Sequence, residues 1–134
     1  MSDDPVTART RRVLQQHWAW ANARRWDDFA TLLAPDLRYE VPQTREWLQG
    51  GPAYLELFRT WPGDWQAELQ ALVCDGPQAV ARIAFRVAGQ PEADTETGIG
   101  WFTLDEQGRI AAVIDHWPAP YEPPPRACPH LVRR

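Results

Sequence analysis

Asp115 and His116 are the only place in the chain where a carboxylate and an imidazole adjoin. An acid beside a histidine suggests acid/base work. In a regular strand, however, neighbouring side chains point to opposite faces, so the two form no dyad unless a bulge re-aims one of them. Alternation puts Ala111, Val113, Asp115 and Trp117 on one face, and Ile110, Ala112, Ile114 and His116 on the other. Either face is apolar enough to be core. His17 lies on an apolar helix stripe among tryptophans, where a packed imidazole and a ligand-facing donor are both open readings. His130 sits in the tail and reads as idle. No histidine pair has metal spacing and no HExxH occurs, so no metal site is expected. There is no nucleophile elbow, glycine-rich phosphate loop or dinucleotide fingerprint, so no cofactor is expected either.

The elements that must position these groups follow from periodicity. From about Val6 to Ala23, Leu14, His17, Trp18 and Ala21 recur at helical spacing. A second helix is expected from Trp26 to Leu33, ended by Ala34-Pro35-Asp36. Leu37 to Val41 alternates as a short strand and stops at Pro42. Residues 43–50 read as a loop. Gly50-Gly51-Pro52 opens a third helix running to Trp61, with Pro52 in the tolerated first turn. Then come four strands: Ala67 to Val73, Ala79 to Val87, Thr95 to Leu104 and Arg109 to Trp117. Hairpin-length turns make them antiparallel. Gly98 and Gly100 fall inside a strand and read as a bend. Residues 1–5 read as frayed, and residues 118–134 as a proline-rich extension unable to continue a sheet. The fold class is therefore α+β, one domain over residues 1–134.

Composition narrows the function. The net charge is −4 and there is no basic stripe, which argues against nucleic acid. No apolar run approaches a membrane span. Cys74 and Cys128 stand far apart in no metal spacing, which points to a reducing cytoplasm. Eight tryptophans spread along the chain suggest a core or cavity lined with large flat rings.

The strand ending in Tyr39-Glu-Val-Pro42, the Gly50-Gly-Pro-Ala-Tyr54 helix, Asp105-Glu-Gln-Gly-Arg-Ile110 and Asp115-His-Trp-Pro118 follow one another in an order that resembles the nuclear-transport-factor-2-like superfamily, and within it the SnoaL-like group. The resemblance covers about residues 10–120. It implies a cone of curved antiparallel sheet packed against three helices from the N-terminal half, enclosing a pocket, and commonly a homodimer through the outer sheet face. Ketosteroid isomerases, limonene-epoxide hydrolases and polyketide cyclases share that fold with non-enzymatic binders, so fold alone does not settle function.

Position by position, the resemblance puts an acid/base aspartate of the hydrolases and cyclases at Asp115, the hydrolases' arginine at Arg82 and their tyrosine at Tyr39. It also shows gaps. The hydrolases' second aspartate falls on Ala84 and their asparagine on Val41. The isomerases' proton-shuttling aspartate falls on Val41, and their oxyanion-binding acid falls on Gly100, as does the cyclases' histidine. The isomerases' oxyanion tyrosine falls on His17. With Asp115 facing the cavity, Val113 and Trp117 would form an apolar collar around it, and Arg82 would keep it ionised. Alternation alone sends Arg82 and Arg86 to solvent, and a structural Asp115–Arg82 pair is the plain alternative. Trp47 is a candidate pocket lid, and Trp101 with Val41 candidate cavity wall.

The expected function is acid/base catalysis on a small, largely apolar molecule: isomerisation, hydrolysis or cyclisation by Asp115, with Arg82 and Tyr39 orienting. Two alternatives stay open. One is a non-catalytic binder of a hydrophobic metabolite; the other is a dimeric interaction module with a vestigial cavity.

Overall fold

A computed structural model of the chain describes residues 4–133. Of the segment expected to fray, residues 1–3 lie outside the described residues. Asp4 and Pro5 instead begin the first helix. The Asp4 carboxylate accepts hydrogen bonds from the Thr7 backbone N–H at 2.8 Å and the Thr7 hydroxyl at 3.0 Å. That caps the N-terminus, and Pro5 occupies the first turn, where its missing N–H leaves nothing unsatisfied. Helix α1 runs Pro5–Asn22 and buries Val13, Leu14, His17, Trp18 and Ala21 along one stripe.

Helix α2, Trp26–Ala30, is shorter than its periodicity suggests. Leu33 already starts strand β1, Leu33–Val41. Pro35 is tolerated inside it because the ladder with its neighbour is irregular between Leu33 and Arg38. The stretch expected to be a loop holds strand β2, Glu46–Gln49, paired antiparallel to β1 with Val41 opposite Glu46. Its four residues are too few, and too exposed, to show a period. Helix α3 spans Gly51–Arg59. Gly51 is demanded by contact, since a Cβ there would stand 2.7 Å from the Ala34 carbonyl oxygen.

Strands β3 (Trp65–Asp75), β4 (Gln78–Val87), β5 (Glu96–Leu104) and β6 (Ile110–His116) complete a six-stranded sheet in the order β2-β1-β6-β5-β4-β3. The four later strands pair antiparallel as their hairpins require. The sheet is not antiparallel throughout, because β1 lies parallel to β6. Most of the chain intervenes between them, which is the long crossover a parallel pair needs. Register shifts at Leu69/Ala71 and Thr103/Leu104 interrupt the ladders. Bulges of this kind bend strands and raise their twist, and the sheet is curved and unclosed.

Helix α1 packs on β3 and β4, and α3 packs on β1. The inner face buries Ala79, Ala81 and Ile83 of β4, Phe102 and Leu104 of β5, and Ile110 and Val113 of β6. Both Ile110 and Val113 face inward because Thr103 pairs with Ala112 and Leu104 with Ile110, leaving Ala111 unpaired. The extra residue resets the alternation, so Ala111 does not share the Asp115 face as a regular strand would have it.

Among the described residues no helix is long and apolar enough to cross a membrane. Cys74 is half-buried and Cys128 exposed, and they form no disulfide.

Candidate active site

Asp115 lies on β6 directly opposite Gly100 of β5, which in turn faces Ala81 of β4. All three point to the concave side. Tyr39 pairs with Val113 across the parallel β1–β6 join, two residues before Asp115. Its hydroxyl therefore reaches along β6 and donates to Asp115 Oδ2 at 2.9 Å. Among the described residues no cation pairs with this carboxylate. Burial pushes the Asp115 carboxyl up to about 6, against the smaller downward pull of the Tyr39 hydrogen bond. Tyr39 is held above its ordinary range, first by burial and then by the Asp115 and Glu46 charges.

The pair opens onto a cavity of about 380 Å³, within the usual range for small-molecule pockets. Five of the eight tryptophans line it: Trp18 of α1, Trp47 of β2, Trp65 of β3, and Trp61 and Trp117 from the chain beyond α3 and β6. Val41, Phe58, Ile83 and Phe85 fill the wall between them, and Glu46 and Glu96 complete its acids. Trp117 stands edge-on to Phe85 with ring centroids 5.8 Å apart, and its backbone N–H donates to Gln43 Oε1 at 3.2 Å.

Two strand glycines make room for this arrangement. A Cβ on Gly100 would lie 2.8 Å from Asp115 Oδ1 and 2.7 Å from the Phe102 ring. A Cβ on Gly98 would lie 2.9 Å from the Trp117 ring. These glycines are the floor on which the acid and a wall tryptophan rest, beyond any bend they permit.

The sequence-derived site is only partly assembled. Asp115, Tyr39, Val41, Trp47 and Trp117 meet at the cavity. Arg82 does not. It is exposed on the convex side, in register with Ile99, which faces His116. That row is one residue out of step with Ala81, Gly100 and Asp115. A single-residue offset reverses the face in a strand, and an ungapped count across two hairpins carries no information on parity. Simple alternation gave the right face for Arg82. Trp101 is likewise 50% exposed on the convex side. Val113 is fully buried beneath the site and lines no part of the cavity.

His17 also lies outside the lining. It is enclosed by Trp18, Phe29, Phe58 and Phe102. Its Nε2 shares a hydrogen bond of 2.8 Å with the Tyr54 hydroxyl. Burial pulls it down to about 3, so it is neutral at ordinary pH. His116 is exposed and faces away from Asp115.

Several lining residues escaped the sequence reading, among them Trp65, Trp61, Phe85 and Glu46. The alternation of Trp65 with Ala67 and of Ile83 with Phe85 is the available signal for two of these, Trp65 and Phe85. Glu46 had none, because the strand carrying it shows no period. Among the described residues no three His, Cys, Asp or Glu side chains gather into a possible metal site.

The SnoaL-like domain family matches residues 13–113. A Kribbella flavida protein, described provisionally as a ketosteroid isomerase, is 37% identical, with 96% of this chain and 90% of that one covered at a TM-score of 0.83. An LEH-like epoxide hydrolase of M. tuberculosis is 20% identical over 85% of this chain and 86% of its own, with a TM-score of 0.72. A Sinorhizobium meliloti protein, described provisionally as a polyketide cyclase, is 21% identical over 78% and 93%, with a TM-score of 0.66. At the identities of the last two, the likeness is one of fold alone. No curated protein matches the chain.

Proposed function

The chain belongs to the SnoaL-like family, and we propose that within it the protein is an acid/base enzyme that moves a proton on a small, largely apolar molecule. The observation that carries this reading is the Asp115 carboxyl, brought up to about 6 and opening onto an aromatic cavity. A base is most effective when its own pKa lies near the working pH. At pH 7 most of Asp115 is ionised, yet the conjugate acid is still strong enough to return the proton. Tyr39 positions the carboxylate by holding Oδ2, which leaves Oδ1, beside Gly100, for the moving proton.

Proton transfer within one molecule suits this site better than hydrolysis. Epoxide opening by a paired-acid mechanism needs a second carboxyl held beside the first. The position aligned with it is Ala84, the inward residue next to it is Ile83, and the cavity's other two acids, Glu46 and Glu96, are exposed and share no hydrogen bond with Asp115. The provisional isomerase name of the K. flavida relative points the same way.

The test is a panel of small enones, β-dicarbonyls and epoxides followed by NMR in deuterated buffer. We expect isomerisation or C–H exchange by the wild-type protein, reduced roughly 100- to 10,000-fold in Asp115→Asn, the usual worth of a positioned acid/base group. The rate should rise with pH through about 6 as Asp115 ionises. Binding without turnover, unchanged by the substitution, would instead favour a non-catalytic pocket.

A further inference from the structure

The cavity lining has a one-sided charge. Asp115, Glu46 and Glu96 contribute three carboxyl groups, and among the described residues no arginine or histidine lines the wall. The chain has 14 basic residues, all arginine. Among the described residues two of these lie over rings of the wall: Arg24 over Trp65 at 3.9 Å and Arg38 over Trp47 at 4.4 Å. Neither joins the lining. Arg24 is already engaged by the carbonyl oxygens of Trp65 and Ala21 and by Asp64 at 3.9 Å.

The rest of the wall is aromatic. Five tryptophans, Tyr39, Phe58 and Phe85 surround the space. Ring faces carry negative potential and attract cations, tryptophan most strongly, and cages of such rings are suited to ammonium groups. An anionic ligand would meet three like charges with no partner. A neutral ligand without a hydrogen-bond donor would give Asp115 nothing in return for the water it displaces. A cation would satisfy the carboxylate and the rings together.

We propose that the ligand of this pocket is a small organic cation, an ammonium or iminium group on an apolar body, held by the tryptophan wall and steered by Asp115, Glu46 and Glu96. The proposal rests on the reading of Asp115 as the working group of an open cavity, and adds the class of molecule it meets. An iminium group also acidifies the C–H bond beside it, because loss of that proton leaves a neutral enamine, and so brings it closer to the reach of a base titrating near neutrality.

Benzyltrimethylammonium and neopentylbenzene have one shape and differ by a single charge, and phenylacetate supplies the anion. Each is titrated into the full chain while the indole N–H resonances of the tryptophans are followed by NMR. The cation is expected to bind at least tenfold more tightly than its neutral twin, with no saturable binding of phenylacetate. Asp115→Asn should weaken the cation about tenfold and leave the neutral compound unchanged. Glu46→Gln, at an exposed position, should weaken the cation without altering the fold. Equal or tighter binding of neopentylbenzene, or binding of phenylacetate, overturns the cation proposal and leaves the acid/base reading standing. Failure of all three to bind overturns the cation proposal, while the acid/base reading stands or falls on the substrate panel. Cation binding with no turnover of the substrate panel and no C–H exchange in a cationic iminium compound upholds the ligand class and removes the enzyme.

Discussion

Between about pH 4 and pH 6 the folded chain holds a proton on Asp115 that the unfolded chain has already released, since burial lifts this carboxyl from 3.8 to about 6. Where the folded state binds more protons, stability falls as pH rises. The Asp115 contribution is therefore intact below about pH 4 and lost by the time pH has passed 6. Asp115→Asn removes the titration but keeps an acceptor for Tyr39. Relative to wild type, the variant should gain about 1–2 kcal/mol between pH 4 and pH 7, after discounting for the part of the side chain open to the cavity. Urea denaturation at each pH checks this, and a difference that does not change with pH contradicts it. Asp4, held low by its Thr7 hydrogen bonds, acts with the opposite sign but equally in both proteins, so it cancels. Tyr39→Phe takes away the donor that lowers Asp115. Its carboxyl should then titrate above about 6, read from the carboxyl carbon by NMR; a midpoint at or below the wild-type value would show that Tyr39 does not hold the carboxylate.

At the level of strands and helices, the site depends on which residues share a face. Gly100→Ala would push a methyl group into Phe102 and the Asp115 carboxylate. Overpacking of this kind costs roughly 1–3 kcal/mol, and ligand binding should fall with it. Arg82→Ala, on the exposed convex side, should change stability by no more than about 0.5 kcal/mol and leave binding untouched. If thermal melts and titrations showed Arg82 to matter as much as Gly100, the placement of the two faces would be wrong. These two positions also show what the sequence could and could not reveal. Helix α1 was legible because Leu14, His17, Trp18 and Ala21 make a stripe that only a helix can bury together. The four hairpin strands were legible because their turns are. Strand β2 was not, since Glu46-Trp-Leu-Gln49 gains its order from β1 rather than from its own pattern. Asp115 and Tyr39 stood out by their spacing within a familiar element order, whereas Arg82 was carried to the wrong side by an ungapped count. The bulge at Ala111 and the parallel β1–β6 join arise from long-range pairing, which no local period encodes.

For the molecule as a whole, two buried groups titrate in opposition. His17 is pulled down to about 3 from 6.5, so the unfolded chain binds the extra proton between those values and stability rises with pH. Asp115 does the reverse over much of the same window. Their opposition should leave the wild-type stability curve shallow from about pH 4 to pH 6. Asp115→Asn should steepen it upward. Tyr54→Phe keeps the aromatic volume but strips His17 Nε2 of its 2.8 Å partner. That should cost roughly 1–3 kcal/mol, the usual penalty for an orphaned buried polar group. Equilibrium denaturation at pH 7 tests it; no loss would mean that the hydrogen bond adds nothing to the packing.

Trp117 and Asp115 both rest on bare stretches of β5 backbone, at Gly98 and Gly100. The seating of a wall tryptophan and of the acid is thereby set by two positions that carry no side chain of their own. At Gly98 a larger residue, with Trp117 shrinking to compensate, would reshape the wall while Asp115 and Tyr39 stay as they are. At Gly100 the same change reaches the Asp115 carboxylate directly, so one strand holds both a position free to vary and a position tied to the chemistry.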